Sequence, residues 1–193
     1  MSSMAKISST LIKTPAVRDR LLDAADRLFY REGVRAVGID RVLAEADSAK
    51  SSLYSHFGCK DELVAAYIER RIAEARAHID AYMATIPPEN RAVRMFDWVV
   101  DWVETPDFRG CPIQNVVSEI PDASHAARVV ANSQREWLLV RFTEWVKAAG
   151  MANPNRLAGA LMVLFDGAVA ASLQDGPQRA RDARWVASTL LER

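Results

Sequence analysis

Residues 39–63 read IDRVLAEADSAKSSLYSHFGCKDEL: two short helical stretches around a four-residue polar turn, then the opening of a third helix. In the first stretch Ile39, Val42, Leu43 and Ala46 fall on one face at helical spacing. The turn is Asp47, Ser48, Ala49 and Lys50, with Asp suited to unusual backbone angles. The second stretch, about 51–57, is only some two turns long, and a helix that short is marginal alone. It is expected to pack through Leu53 and Phe57. Its other face then offers Lys50, Ser51, Ser52, Ser55 and His56, with Tyr54 beside them. One cation, small polar donors and an aromatic ring suit phosphates and base edges in a major groove. A recognition helix uses its N-terminal residues in this way.

Outward from this segment, nearly everything reads as helix. Upstream, 17–31 places Val17, Leu21, Leu22, Ala25, Leu28 and Phe29 at helical spacing and stops at Gly33. Downstream, Gly58 breaks the chain. Asp61 and Glu62 then open a long helix, acids being favoured in a first turn. It is expected to run roughly 20 residues and to end before Pro87 and Pro88. Further helices are expected over 91–103, 111–120, 124–149, 154–174 and 179–191, and no strand-type alternation appears. The fold class expected is all-α with nine helices in two domains. A flexible arm (1–15) precedes a three-helix helix-turn-helix head (16–62) and a helical ligand-binding and dimerisation body (63–193).

The bulk numbers agree with a globular chain: 193 residues, 50% hydrophobic and 26% charged. No stretch approaches the ~18 uncharged apolar residues of a membrane span, and the polar N-terminus has no apolar signal region. A cytoplasmic, reduced protein is expected. Cys59 and Cys111 lie far apart, as do His56, His78 and His125, so neither a metal site nor a cofactor is expected. Formal net charge is zero, but the first 60 residues hold ten Lys/Arg against seven Asp/Glu, and the rest fifteen against eighteen. A basic head on an acidic body fits one end meeting phosphates.

The decisive stretch resembles the tetracycline-repressor (TetR) family. The residues that carry the resemblance are Ala24, Ala25, Leu28, Phe29 and Gly33, then 42–46, Lys50, the run Leu53-Tyr54-Ser55-His56-Phe57, Lys60 and Leu63. A Gly-Cys-Pro-x-x-Asn opening to the sixth helix, Gly110 to Asn115, adds to it. The resemblance implies that Lys50, Ser51, Ser52, Tyr54 and His56 touch DNA and that Lys60 holds a phosphate at a helix start, with Arg41 a weaker candidate. The sequence departs from the family in the turn: Asp47 and Ser51 stand where glycine is usual, and Ser48 where an apolar residue is. Such a turn is expected to pack less tightly. Tyr54 reads as a phosphate contact or a packing residue rather than a base reader, and His56 as a DNA contact or a cap. Lys6 and Lys13 in the arm are candidates for the minor groove.

For the body, Trp98 and Trp102 share a helix face, and Met95 and Val99 repeat that spacing one residue over. With Cys111, Gln114, Asn115, Ser118 and Glu119 on the next helix, and Trp137 beyond, they suggest an apolar cavity with a few polar groups. Gln134 and Asp166 are further candidates, Asp166 alternatively lying at a dimer interface. The partners expected are double-stranded DNA carrying a palindromic operator, an apolar or aromatic small-molecule effector, and a second copy through the last two helices. No membrane partner is expected. Enzymatic activity is not expected, because Glu119 and His125 flank Pro121 with no nucleophile or metal set around them. A redox role for Cys59, placed beside Lys60 at a helix start, or for Cys111, stays open against a bystander reading.

Overall fold

A computed structural model describes residues 16–192; the arm 1–15, with Lys6 and Lys13, lies outside the described residues. Among these it contains nine α-helices and no strand. The helices are α1 Val17–Glu32, α2 Ile39–Glu45, α3 Lys50–Phe57 and α4 Lys60–Ala84. After a 3₁₀ turn at Pro88–Asn90 come α5 Arg91–Val103, α6 Pro112–Glu119, α7 Ala126–Ala148, α8 Pro154–Asp175 and α9 Gln178–Leu191. The all-α, nine-helix architecture is the one the periodicity led to. At 25 residues, or about 37 Å, α4 is longer than expected because it opens at Lys60 and runs on to Ala84.

The head closes around α4. Leu21, Leu28 and Phe29 of α1, Val42 of α2 and Leu53 and Phe57 of α3 are buried against Leu63, Tyr67 and Ile68 of α4. Arg70 and Arg71 of α4 reach back to Asp23 and Asp26 of α1, at 2.5 and 2.6 Å. The core of the head therefore continues along α4 past residue 62, and Val116, Ala127 and Ala131 of the body join it. Farther on, Ile79 and Met83 of α4 enter a second core with Met95, Phe96 and Val99 of α5, Phe142 of α7, and Leu161 and Val169 of α8. One rigid helix thus belongs to both cores.

The turn between α2 and α3 is held although it lacks glycine. Asp47 takes the left-handed conformation (φ +45°), which Asp tolerates better than most residues. The Arg20 guanidinium, arriving from α1, donates to the Ala46 and Asp47 carbonyls at 3.2 and 3.4 Å, and the Ser48 N–H donates to the Leu43 carbonyl at 3.1 Å. Orphan carbonyls at the end of α2 are thereby satisfied.

One expectation needs correction. Helix α8 is long and apolar enough, by length and composition, to cross a membrane; between Arg156 and Asp175 its only charge is Asp166. Its packing is that of a core helix with one uncovered face. Ala158, Leu161, Met162 and Phe165 are buried in the second core, while Val163 and Leu173 are exposed.

Candidate nucleic-acid interface and cavity

Helix α3 sorts its side chains as its length requires. Leu53 is fully buried and Phe57 nearly so; Lys50, Ser51, Tyr54, Ser55 and His56 are exposed, and Ser52 is half-buried. Tyr54, 47% exposed, is no core residue. Phe57 is clamped from behind by the Arg18 guanidinium, 5.1 Å from its ring centre. Lys60, partly buried, is the first residue of α4. Arg41 is exposed but already engaged: its guanidinium donates to both Glu32 carboxylate oxygens, at 2.5 and 2.9 Å. That bond holds the Glu32 carboxyl below the usual carboxylate range. To reach a phosphate Arg41 has to leave Glu32.

A cavity of about 450 Å³ is lined from α1, α4, α5, α6, α7 and α8. Of the residues expected there, Trp98, Trp102, Cys111 and Gln114 line it, and Gln134 and Asp166 do as well. Six others fall elsewhere. Met95 and Val99 are fully buried in the core, because one residue along a helix turns the side chain by about 100°. Asn115 donates to the Arg109 carbonyl at 3.0 Å, and the exposed Ser118 hydroxyl donates to the Gln114 carbonyl at 2.9 Å. Trp137 lies under two cations, Arg76 and Arg141, each 5.3 Å from its ring. Glu119 faces the head, and His125, which the sequence paired with it, caps α7 through the Ala127 N–H at 3.1 Å.

Sequence reasoning missed the wall that α1 and α4 supply: Tyr30, Arg71, Glu74, Ala75 and His78. A signal existed, since 71, 75 and 78 share a helix face. The polar lining is tied across elements. Gln114 Nε2 (α6) donates to Asp166 Oδ1 (α8) at 2.9 Å, and Arg135 (α7) binds Asp166 Oδ2 at 2.6 Å. Arg76 Nε donates to Gln134 Oε1 at 2.7 Å. Cys111, buried at the cavity wall, has its thiol pushed up to about 11 by burial, whereas Cys59 is exposed.

Helix α6 has a second set of contacts, toward the head. Before its N-terminus, Tyr30 Oη donates to the Gly110 carbonyl at 3.1 Å and accepts the Arg109 N–H at 2.8 Å. Burial raises the Tyr30 phenol above its ordinary value, so it stays a donor at neutral pH. Gly110 is fixed by this geometry: it has φ +83°, and a Cβ there would meet Leu173 and Asn115 at 3.3 and 3.4 Å. At its far end Glu119 accepts the Arg35 backbone N–H at 2.9 Å. The Gly-Cys-Pro-x-x-Asn motif is thus the joint between head and body. Among the described residues, no group of three or more His, Cys, Asp or Glu side chains gathers to hold a metal ion.

These features match known proteins. The family described as "Bacterial regulatory proteins, tetR family" matches residues 21–67. A TetR-family transcriptional regulator from Streptomyces coelicolor is 33% identical, with 91% of this chain and 94% of that one covered and a TM-score of 0.86. A second structure, a putative TetR transcriptional regulator from Streptomyces avermitilis, is 32% identical over 92% of this chain and 97% of that one, with a TM-score of 0.84. The transcriptional repressor DhaR of a Mycobacterium species is 27% identical over 71% of this chain; the match spans 65% of DhaR, slightly under two thirds of its length. The chain belongs to the tetR family of bacterial regulatory proteins and is a DNA-binding transcriptional regulator.

Proposed function

We propose that this regulator binds a palindromic operator as a homodimer and leaves it when an apolar or aromatic small molecule enters the cavity. The observation that carries the reading is that one short helix serves two sites. Ile113, Gln114 and Val117 of α6 line the cavity, while Tyr30 and Arg35 of the head hold its two ends. A ligand that displaces α6 therefore pulls on the head directly, in addition to acting through α4. By linkage, DNA weakens the ligand by the same factor as the ligand weakens DNA.

The DNA face assigned to it is Lys50, Ser51, Ser52, Tyr54 and His56, with Lys60 on a phosphate and Arg41 recruited only after it leaves Glu32. Dimerisation runs through α8 and α9, whose uncovered surface carries Val163, Leu173, Trp185 and Leu190. Two recognition helices set about 34–36 Å apart read successive major grooves. The test is a gel shift with the DNA upstream of the protein's own gene, repeated with the Tyr54→Ala/Lys60→Ala double variant. Retardation by the wild type that the variant loses supports the assignment; no specific retardation by a folded dimer sends the operator assignment back to an unbiased selection.

A further inference from the structure

The charged side chains lining the cavity are Arg71 and Arg135 against Glu74 and Asp166, with His78 one turn beyond Glu74 on α4. Arg71 is committed to Asp26, its Nε lying 2.6 Å from one carboxylate oxygen and Nη2 donating to the other at 2.9 Å. Arg135 is committed to Asp166 at 2.6 Å. Glu74, on the α4 wall, has no such partner. The cation beside it is Arg70, 3.9 Å away, and Arg70 already binds Asp23 at 2.5 Å and lies 3.7 Å from Asp26. Because Arg71 turns its charge to Asp26 behind the wall, Glu74 is the lining carboxylate that a cation holds least closely.

Among the described residues no cation stacks on the aromatic wall. Trp98 and Trp102 line the cavity with ring centres 5.3 Å apart, and Phe108 supports Trp102 edge-on at 5.6 Å. Among the described residues the cations stacked on an indole, Arg76 and Arg141, both stack on Trp137, outside this lining. Two indoles on which no cation of the chain stacks, and a loosely held carboxylate in the same cavity, favour a positively charged guest, since a partly desolvated cation gains both from the ring quadrupole and from the opposite charge.

We propose that the cavity takes an organic cation: a flat aromatic molecule with one protonated nitrogen, its ring against Trp98 and Trp102 and its charge facing Glu74. This rests on the reading of the cavity as the effector site. The two fail separately, because the calorimetry below uses no DNA.

The probes are three molecules on one ring system, naphthylmethylamine (a cation at neutral pH), naphthylmethanol (neutral) and naphthoate (an anion), titrated calorimetrically into the full chain. The amine is expected to bind about tenfold more tightly than the alcohol, and naphthoate most weakly. Glu74→Gln brings amine and alcohol within about twofold of one another. Asp166→Asn frees Arg135 and strengthens naphthoate relative to the amine. Far-ultraviolet circular dichroism and a melting curve establish that each variant is folded. Naphthoate binding as tightly as the amine, an amine preference that survives Glu74→Gln, or no binding by any of the three overturns the proposal. Operator retardation that saturating amine leaves unchanged, with the amine preference intact, overturns the effector reading and leaves the cation site standing.

Discussion

The Glu119 carboxylate lies against Gly33 so closely that a Cβ there would stand 2.8 and 2.9 Å from its two oxygens. The same carboxylate accepts the Arg35 N–H, so the end of α6 is seated in the bend that ends α1. Gly33 holds φ +90° and ψ +154°, a region left almost entirely to glycine. Gly33→Ala is therefore expected to cost about 1–3 kcal/mol for the backbone, with a steric contribution from Glu119 added. Urea melts of Gly33→Ala, Glu119→Ala and the double variant separate the two. Gly33→Ala should cost less in the Glu119→Ala background, by about 0.5 kcal/mol or more. Strict additivity would mean that the two groups do not meet in solution.

The other end of α6 predicts a change in communication. Tyr30→Phe removes one hydroxyl that both donates to Gly110 and accepts from Arg109. The stability loss should be modest, about 1 kcal/mol per lost bond. The ratio of DNA affinities with and without saturating effector should fall toward one, since one of the clasps between cavity and head is gone. An unchanged ratio in the Tyr30→Phe protein would leave the coupling to α4 and to the Glu119 end of α6.

How far the sequence could be read is clear from α3 and α5. A short α3 has to bury something, and only Leu53 and Phe57 were available, so its exposed face followed from its length. Helix α5 carries Arg91, Arg94, Asp97 and Asp101 on one face; Trp98 and Trp102 flank that face and Met95 and Val99 lie farther round toward the core, a distinction that pairing residues four apart does not draw. Glu119 misled for a related reason. A polar residue on α6 near cavity residues reads as a ligand contact until the fold brings Gly33 and Arg35, more than 80 residues earlier in the chain, beneath it. Tyr30 joins the cavity wall from the head side, a tertiary event with no local signature.

The thiols separate by environment. Burial pushes the Cys111 thiol up to about 11, so it is a neutral thiol at physiological pH, while Cys59 is exposed. The raised value makes the folded state prefer the protonated form. That contribution to stability is present below the unfolded thiol's ordinary value and is lost as pH rises toward 11. Ellman's reagent at neutral pH should label one of the two thiols in the native protein and both in denaturant. Cys59→Ser should abolish the native reaction. Rapid labelling of two thiols in the native state would show the cavity open to a reagent of that size.

Phosphate contacts are read by salt. If Lys60 holds a backbone phosphate, Lys60→Ala weakens all DNA sequences alike and lowers the salt slope of the binding constant by about one. Ser51→Ala and His56→Ala, at base-edge positions, should instead relax sequence preference and leave the slope unchanged. Arg41→Ala should change both very little, because Arg41 already spends its guanidinium on Glu32. Binding curves at several salt concentrations on operator and random duplexes sort the three cases.

The exposed apolar face of α8 and α9 carries the last prediction. Trp185 is 68% exposed and Val163 69% exposed in the single chain. In a dimer through these helices both become buried, and truncating a large interface aromatic commonly costs 2 kcal/mol or more of association, roughly thirtyfold in the dimer constant. Trp185→Ala should therefore shift sedimentation toward the monomer at micromolar concentration, and Val163→Asp should shift it further by placing a charge in the contact. Both variants should stay folded, because neither side chain belongs to the core. Their operator affinity should fall in step with dissociation and recover at high protein concentration, since α3 itself is untouched. If both variants sediment as the wild type does, the two copies meet on a different face.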